Sequence, residues 1–251
     1  MNVTAVDTLI TQFAPITLEE MAGIKLMNRI DTKFVTTVDR VCLLLEMAQA
    51  EYSVQETDGM RNMDYATLYY DTPTREMFIA HHNGHAGRQK VRIRSYVNSH
   101  LNFLEVKTKN NHGRTRKKRI EVHDFDLNDK AKVDFMHQHL HYNPATLESN
   151  LENAFRRVTL VNKNRTERVT IDTLLRFHNL VTDSRRSLDT LAIIELKRNG
   201  ILRSPVLEML RALRIMPMGF SKYCIGSLLT DPTLKRNRFK ERLHALERLM
   251  A

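Results

Sequence analysis

Between Arg88 and Tyr96 four cations stand at alternate positions, Arg88, Lys90, Arg92 and Arg94, with Val91 and Ile93 among the residues between them. A period of two predicts a β-strand with one apolar face. The four charges then share the other face, about 6.6 Å apart. Neighbours at that spacing repel by about 2.5 kcal/mol at an effective dielectric of about 20, and by about 0.6 kcal/mol in water. A folded chain keeps such a row where the face is wet, where carboxylates match it, or where it holds an anion. Phosphate suits an Arg-rich row, because a guanidinium fork grips two phosphate oxygens at once.

The same bias recurs along the chain. Arg29, Asp31 and Lys33 alternate, as do Glu105, Lys107 and Lys109, then Lys117, Arg119 and Glu121, then Arg168, Thr170 and Asp172, then Glu195 and Lys197. The carboxylates on these faces are fewer: Asp31, Asp71, Glu105, Glu121, Asp172 and Glu195. A half-exposed antiparallel sheet has a polar outer face, and that reading covers any one strand. It weakens when one basic bias returns in five or six. If the sheet closes on itself, the charged faces line a barrel interior. Unpaired buried charge costs several kcal/mol per ion, roughly, so such an interior holds water, carboxylate partners and a polyanion.

The elements that must position these residues can be read from period and caps. Residues 1–16 are a weakly patterned lead-in. Thr17 and Glu20 form a capping box for a helix to about Asn28, and Thr37 caps a second helix to about Ala50 with Val41, Leu44, Leu45 and Ala48 as its apolar stripe. Strands are predicted over 52–55, 66–72, 88–96, 103–109, 116–122, 155–161, 167–173 and 188–197. Asn110–Gly113 is a hairpin-type connection. Helices are predicted over 74–82, 128–142, from Pro205 to about Leu213, over a short stretch from Phe220, and over 231–251, the last with Leu234, Phe239, Leu243, Leu246 and Leu249 inward. Short connections imply a largely antiparallel sheet. The fold expected is α+β, with helices packed outside the sheet in one domain spanning 1–251.

The 251 residues carry a net charge of +10 with a pI near 9.7, which points to an anionic partner. No apolar run is long enough to span a membrane and the N-terminus lacks a signal-peptide pattern. Cys42 and Cys224 both sit in apolar settings and read as reduced core thiols, so a cytoplasmic location is expected. No P-loop or dinucleotide glycine motif occurs. His137 with His141, and His81 with His82 and His85, lack the Cys or Glu that would complete a zinc set. The run Arg114, Arg116, Lys117, Lys118, Arg119 has no interleaved aromatics, so a tunnel-edge strand is favoured over nucleic-acid binding.

Taken in order, Arg29–Phe34, Leu68–Thr72, Arg88–Tyr96, Phe103–Lys107, Arg168–Thr173, Ile194–Lys197 and Phe220–Tyr223 resemble the VTC domain, the polyphosphate-polymerase branch of the triphosphate tunnel metalloenzymes. The resemblance covers about residues 25–230. It implies an antiparallel β-barrel tunnel that binds ATP, or another nucleoside triphosphate, and inorganic polyphosphate. It implies Lys33, Arg92, Arg94, Lys107, Arg168 and Lys222 as the catalytic phosphate ligands. Arg88, Lys90, Arg119, Arg165, Lys197 and Ser221 would be further phosphate contacts, and Glu195 the ligand of Mn²⁺ or Mg²⁺. The first strand offers one carboxylate, Asp31, where many tunnel enzymes have two glutamates, which weakens a two-metal hydrolysis. Three outcomes stay open: transfer of the γ-phosphate of ATP to a polyphosphate chain, triphosphate hydrolysis, and binding without turnover.

Overall fold

The computed structural model describes residues 3–22, 29–110, 115–200 and 202–251. The lead-in forms helix α1 (Val3–Ile10) and strand β1 (Ala14–Ile16). α2 (Leu18–Ala22) has the expected capping box, with Thr17 N donating to Glu20 Oε2 at 2.9 Å and Glu20 N to Thr17 Oγ1 at 3.2 Å. The continuation expected to Asn28 lies outside the described residues from 23 on. Next come β2 (Arg29–Thr37), α3 (Val38–Ala48) capped by Thr37, β3 (Tyr52–Gln55), β4 (Asn62–Asp71), α4 (Glu76–Asn83) and β5 (Gln89–Tyr96). After these stand β6 (Leu101–Lys109), β7 (Thr115–Val122), α5 (Lys130–His139), β8 (Glu148–Asn162) and β9 (Glu167–Asn179). Of the Asn110–Gly113 connection, residues 111–113 are not among those described. The strand expected over 188–197 is two strands, β10 (Arg185–Leu188) and β11 (Leu191–Asn199). α6 (Pro205–Ala212), α7 (Lys222–Thr230) and α8 (Lys240–Met250) complete the chain. The terminal helix starts later than expected because a separate 3₁₀ turn takes up Asn237–Phe239.

The main path of the sheet runs β2–β11–β9–β8–β4–β5–β6–β7, antiparallel throughout. Its apolar faces carry the helices. α1, α3 and α6 bury Val6, Leu44, Leu45 and Leu210 against Val158, Ile171 and Ile194 of β8, β9 and β11. α5 buries Phe135 and Met136 against Ile93 and Leu104 of β5 and β6. Each of the fully buried leucines contributes about 2 kcal/mol by leaving water. α7, α8 and the 3₁₀ turn before α8 pack Tyr223, Leu228, Leu246 and Phe239 on Phe155, Leu175 and Phe177 of β8 and β9.

The sheet is strongly curled. On a flat sheet β2 and β5 are five ladder steps apart, about 24 Å at about 4.8 Å per step. Yet Lys33 of β2 donates to the carbonyl of Phe220 at 3.3 Å and Lys90 of β5 donates to Ser221 Oγ at 2.8 Å. Contacts to consecutive residues require the two strands to come round toward each other. The expected closed barrel is not formed: among the described residues β2 and β7 do not pair, and the path is open between them. The free edge of β2 is met by the segment before α7, through a bridge between Phe34 and Pro217 and a bond from Met218 N to Lys33 O at 2.8 Å. The alternation of period two fixes which face each side chain takes; it does not encode which edges join. A proline-bearing segment is well suited to blunt an edge.

Gly226 explains how α7 reaches its seat. A Cβ there would lie 2.4 Å from Phe177 Cδ1 and 2.8 Å from Leu151 Cδ2, so only glycine lets the helix settle this close on β8 and β9. That seating aims Ser221 and Lys222 into the concave charged face.

Candidate functional site

The concave face is assembled by strand register. Tyr69, Arg92 and Glu105 lie opposite one another across β4, β5 and β6, and Thr67, Arg94 and Phe103 form the next row. On the other wall Lys33, Glu195 and Thr170 share a row across β2, β11 and β9, and Arg157 lies opposite Asp172.

Three carboxylates answer two cations each. Glu105, fully buried, accepts from Arg92 Nε at 2.7 Å and Lys117 Nζ at 3.0 Å. Burial alone would raise its pKa, but Arg92, Arg94, Lys107 and Lys117 outweigh burial and hold the carboxyl well below its usual range. Asp172 takes a two-pronged bond from Arg157, Nε to Oδ1 at 2.6 Å and Nη2 to Oδ2 at 2.8 Å, and also pairs with Lys222. Its pKa is likewise depressed, Arg157 and Lys222 overcoming burial. Glu195 lies between Lys197, 3.2 Å away, and Lys33, 3.7 Å away, and these two again outweigh burial to depress it.

Three further cations have no carboxylate within 4 Å among the described residues: Lys90, Arg94 and Lys107. Arg94 is buried, with Thr67 Oγ1 at 3.4 Å and the rings of Tyr65 and Phe155 at 5.8 Å. Burial, with Arg92 and Arg157 beside it, pushes its pKa down to about 10. For Arg92 burial works the same way, but Tyr69 and Glu105 more than offset it and the pKa rises. Lys107 is held well below the usual lysine value, by burial first and then by Arg92 and Arg94. Lys90 falls to about 8, mainly by burial. Lys222 also falls to about 8 for the same reason, although Asp172 opposes the shift.

Of the residues singled out from sequence, Lys33, Lys90, Arg92, Arg94, Lys107, Glu195, Lys197, Ser221 and Lys222 meet on this face. Arg168 stands opposite Lys197 in the β9–β11 ladder. Arg88 lies just before β5, its guanidinium on the carbonyl of His85 at 2.7 Å. Arg119 is exposed on β7, over the Phe103 ring at 4.4 Å. Arg165 is not brought to the face. It sits in the β8–β9 turn with φ +55°, exposed, 3.5 Å from Glu20, because Asn162 Oδ1 accepts from the backbone N–H groups of Thr166 and Glu167 and folds the turn tightly. Asp71 is also absent from it. Fully buried, it accepts from the backbone of Thr72, Met77 and Phe78 and from Tyr223 Oη, and so anchors α4 and α7. Arg157 was missed, although alternation from Phe155 puts Phe155, Arg157 and Thr159 on one face.

Among the described residues no three His, Cys, Asp or Glu side chains converge as a metal site. Glu195 offers one hard oxygen donor of the kind Mg²⁺ and Mn²⁺ take, which fits an ion bound mainly through substrate phosphates and water. Both cysteines are free and buried, in different core clusters. No described helix is long and apolar enough to cross a membrane.

Several solved structures are similar in fold. A putative adenylyl cyclase from Hippeastrum, described as having a dominant triphosphatase activity, is 14% identical with a TM-score of 0.48, over 80% of this chain and 96% of that one. The PH1819 protein from Pyrococcus horikoshii OT3 is 12% identical, TM-score 0.44, over 80% and 98%. The Schizosaccharomyces pombe Mediator head module gives 10% and 0.41, over 74% and 90%. No curated protein matches the sequence. The family model of the VTC domain matches residues 28–230, most of the chain and nearly all of the charged face, and the chain belongs to that family.

Proposed function

We propose that the concave face binds the phosphates of ATP and of a polyphosphate chain and transfers the γ-phosphate of ATP to that chain. The observation that carries this reading is the presence of Lys90, Arg94 and Lys107 on a largely buried face with no carboxylate within 4 Å among the described residues, Glu105 acting on Arg94 and Lys107 only from farther away. Charge of that kind costs several kcal/mol per ion, roughly, unless an anion arrives.

Arg92, Arg94 and Lys107 grip the β- and γ-phosphates, while Lys33, Lys197 and Arg168 line the opposite wall. A terminal phosphate oxygen of the chain attacks the γ-phosphorus. The bond from that phosphorus to the β–γ bridging oxygen breaks, and ADP leaves with the electron pair. Phosphoryl transfer requires in-line positioning and charge compensation more than a protein nucleophile, which agrees with a site made of Arg and Lys. Glu195 would hold the divalent ion, which supplies further positive charge to the phosphate oxygens.

The test is incubation of the protein with ATP, Mn²⁺ and a short polyphosphate primer. Chain growth with stoichiometric ADP is expected. Release of inorganic phosphate without growth makes the protein a triphosphatase, and neither product with retained tripolyphosphate binding makes it a binding module.

A further inference from the structure

At the α7 end of the concave face, contacts join a ring of basic residues. The His81 ring stacks on Phe239, centroids 6.2 Å apart. The guanidinium of Arg242 lies over the same ring at 5.2 Å, and its atoms come within 3.9 Å of where a Cβ on Gly219 would stand. Two residues on, Ser221 receives Lys90. Lys90 leads back along β5 to Arg88, whose guanidinium returns to His85 just past α4. Lys109 is locked beside Arg88, Lys109 N donating to Arg88 O at 3.0 Å and Gly87 N to Lys109 O at 2.7 Å.

Among the described residues none of Arg88, Lys90, Lys109 and Arg242 has a carboxylate within 4 Å. His81 Nδ1 is buried without a hydrogen-bond partner. The charged groups that act most strongly on His81 are all cationic: Lys90 on β5, Arg88 just before it, Arg242 on α8 and Lys109 on β6. Burial, then Lys90, Arg88, Arg242 and Lys109, push the His81 pKa down to about 2.

Building on the phosphate reading of the concave face, we propose that this ring is a second phosphate station at its mouth, which holds the polyphosphate chain beyond the transfer site and lets His81 take a proton when it does. The chain's phosphates replace the missing carboxylates. With them in place the opposition of the four cations to a charge on the imidazole is offset, while burial still opposes it. The His81 pKa is then higher with the chain bound than without it, so binding takes up a proton and strengthens as pH falls through the bound-state value. A triphosphate, held deeper between Arg92, Arg94 and Lys107, meets Lys90 of the ring but does not reach Arg88, Lys109, Arg242 or His81.

The test uses the full chain, with inorganic tripolyphosphate and long-chain inorganic polyphosphate as probes in titration calorimetry. The double variant R242Q/K109Q is expected to bind the long chain about tenfold more weakly, as loss of charged contacts implies, and tripolyphosphate unchanged. H81Q is expected to remove the rise in long-chain affinity at low pH, and the His81 ring resonances of the wild type are expected to shift to the protonated form on adding the long chain only. Unchanged long-chain affinity in the double variant, or equal loss for both probes, overturns the mouth station and leaves the transfer site standing. An unmoved His81 resonance overturns the proton coupling. Failure of the wild type to bind tripolyphosphate overturns both readings at once.

Discussion

The wall on β8, β9 and β11 and the wall on β5 and β6 carry similar side chains but differ in how their charges are answered. Arg157 and Arg94 show this most directly. Both guanidiniums stand over the same two rings, Tyr65 and Phe155, Arg157 at 5.0 and 5.2 Å and Arg94 at 5.8 Å from each. Arg157 has both prongs on Asp172, and its pKa is raised once Asp172 overcomes the effect of burial. Arg94 has one long bond to Thr67, and its pKa falls. Rings and burial being shared, the carboxylate makes the difference. One wall is completed by the protein itself and is a scaffold. On the other, Glu105 answers Arg92 and Lys117 but leaves Arg94 and Lys107 without a direct partner among the described residues, and under the proposed function the ligand's phosphates complete them.

The contrast breaks first on Arg157. R157M leaves Asp172, nearly fully buried, with Lys222 alone, and removing one member of a buried pair costs about 3 kcal/mol. Urea denaturation should show a loss of that order. Loss below about 0.5 kcal/mol would mean that the paired wall is not a scaffold. R94M should do the opposite. Stability holds or rises, because an unanswered buried charge is gone, while kcat/KM for phosphoryl transfer falls about 100-fold, the scale of losing one donor that stabilises transition-state charge. A variant that unfolds with activity per folded molecule intact would place Arg94 on the structural side instead.

How much of this difference was legible in the sequence is itself uneven. Alternation put Lys33, Arg92, Arg94, Lys107 and Glu195 on one face, because period two survives any curling of the sheet. The caps at Thr17 and Thr37 were readable from local side-chain chemistry alone. Closure was not, because edge pairing depends on which segment reaches β2, and Pro217 reaches it from far along the chain. Asp71 carries the same alternation signal as Asp172, but backbone donors more than one turn later claim it. Nor does spacing tell a paired arginine from an unpaired one: Arg157 and Arg94 are separated by a carboxylate fifteen residues away in sequence and adjacent in space.

Glu195 tests the comparison from the metal side. E195Q removes one carboxylate from two lysines, adding positive charge to the wall. Turnover with Mn²⁺ should fall by about tenfold or more, while tripolyphosphate affinity measured in chelator holds or rises, since Lys33 and Lys197 are released to the ligand. Equal loss of turnover and of chelator-insensitive binding would make Glu195 a structural partner only.

The smallest expected effect, and the finest test of the two walls, is in pH. Lys90 and Lys222 both lie near 8, depressed chiefly by burial. A bound phosphate favours the protonated amine, so tripolyphosphate affinity should fall as pH rises through about 8 and hold below it. Deprotonation has different consequences at the two lysines. When Lys222 loses its proton, Asp172 still has Arg157 at 2.6 Å and the wall stays balanced. When Lys90 loses its proton, a charge directed at the ligand is lost and nothing replaces it. K90M should therefore flatten most of the alkaline fall, and K222M little of it, in affinity titrations from about pH 7 to about pH 9.5, between the usual histidine and lysine values. The reverse ranking would mean that the carboxylate-paired wall, not the unpaired one, meets the phosphates.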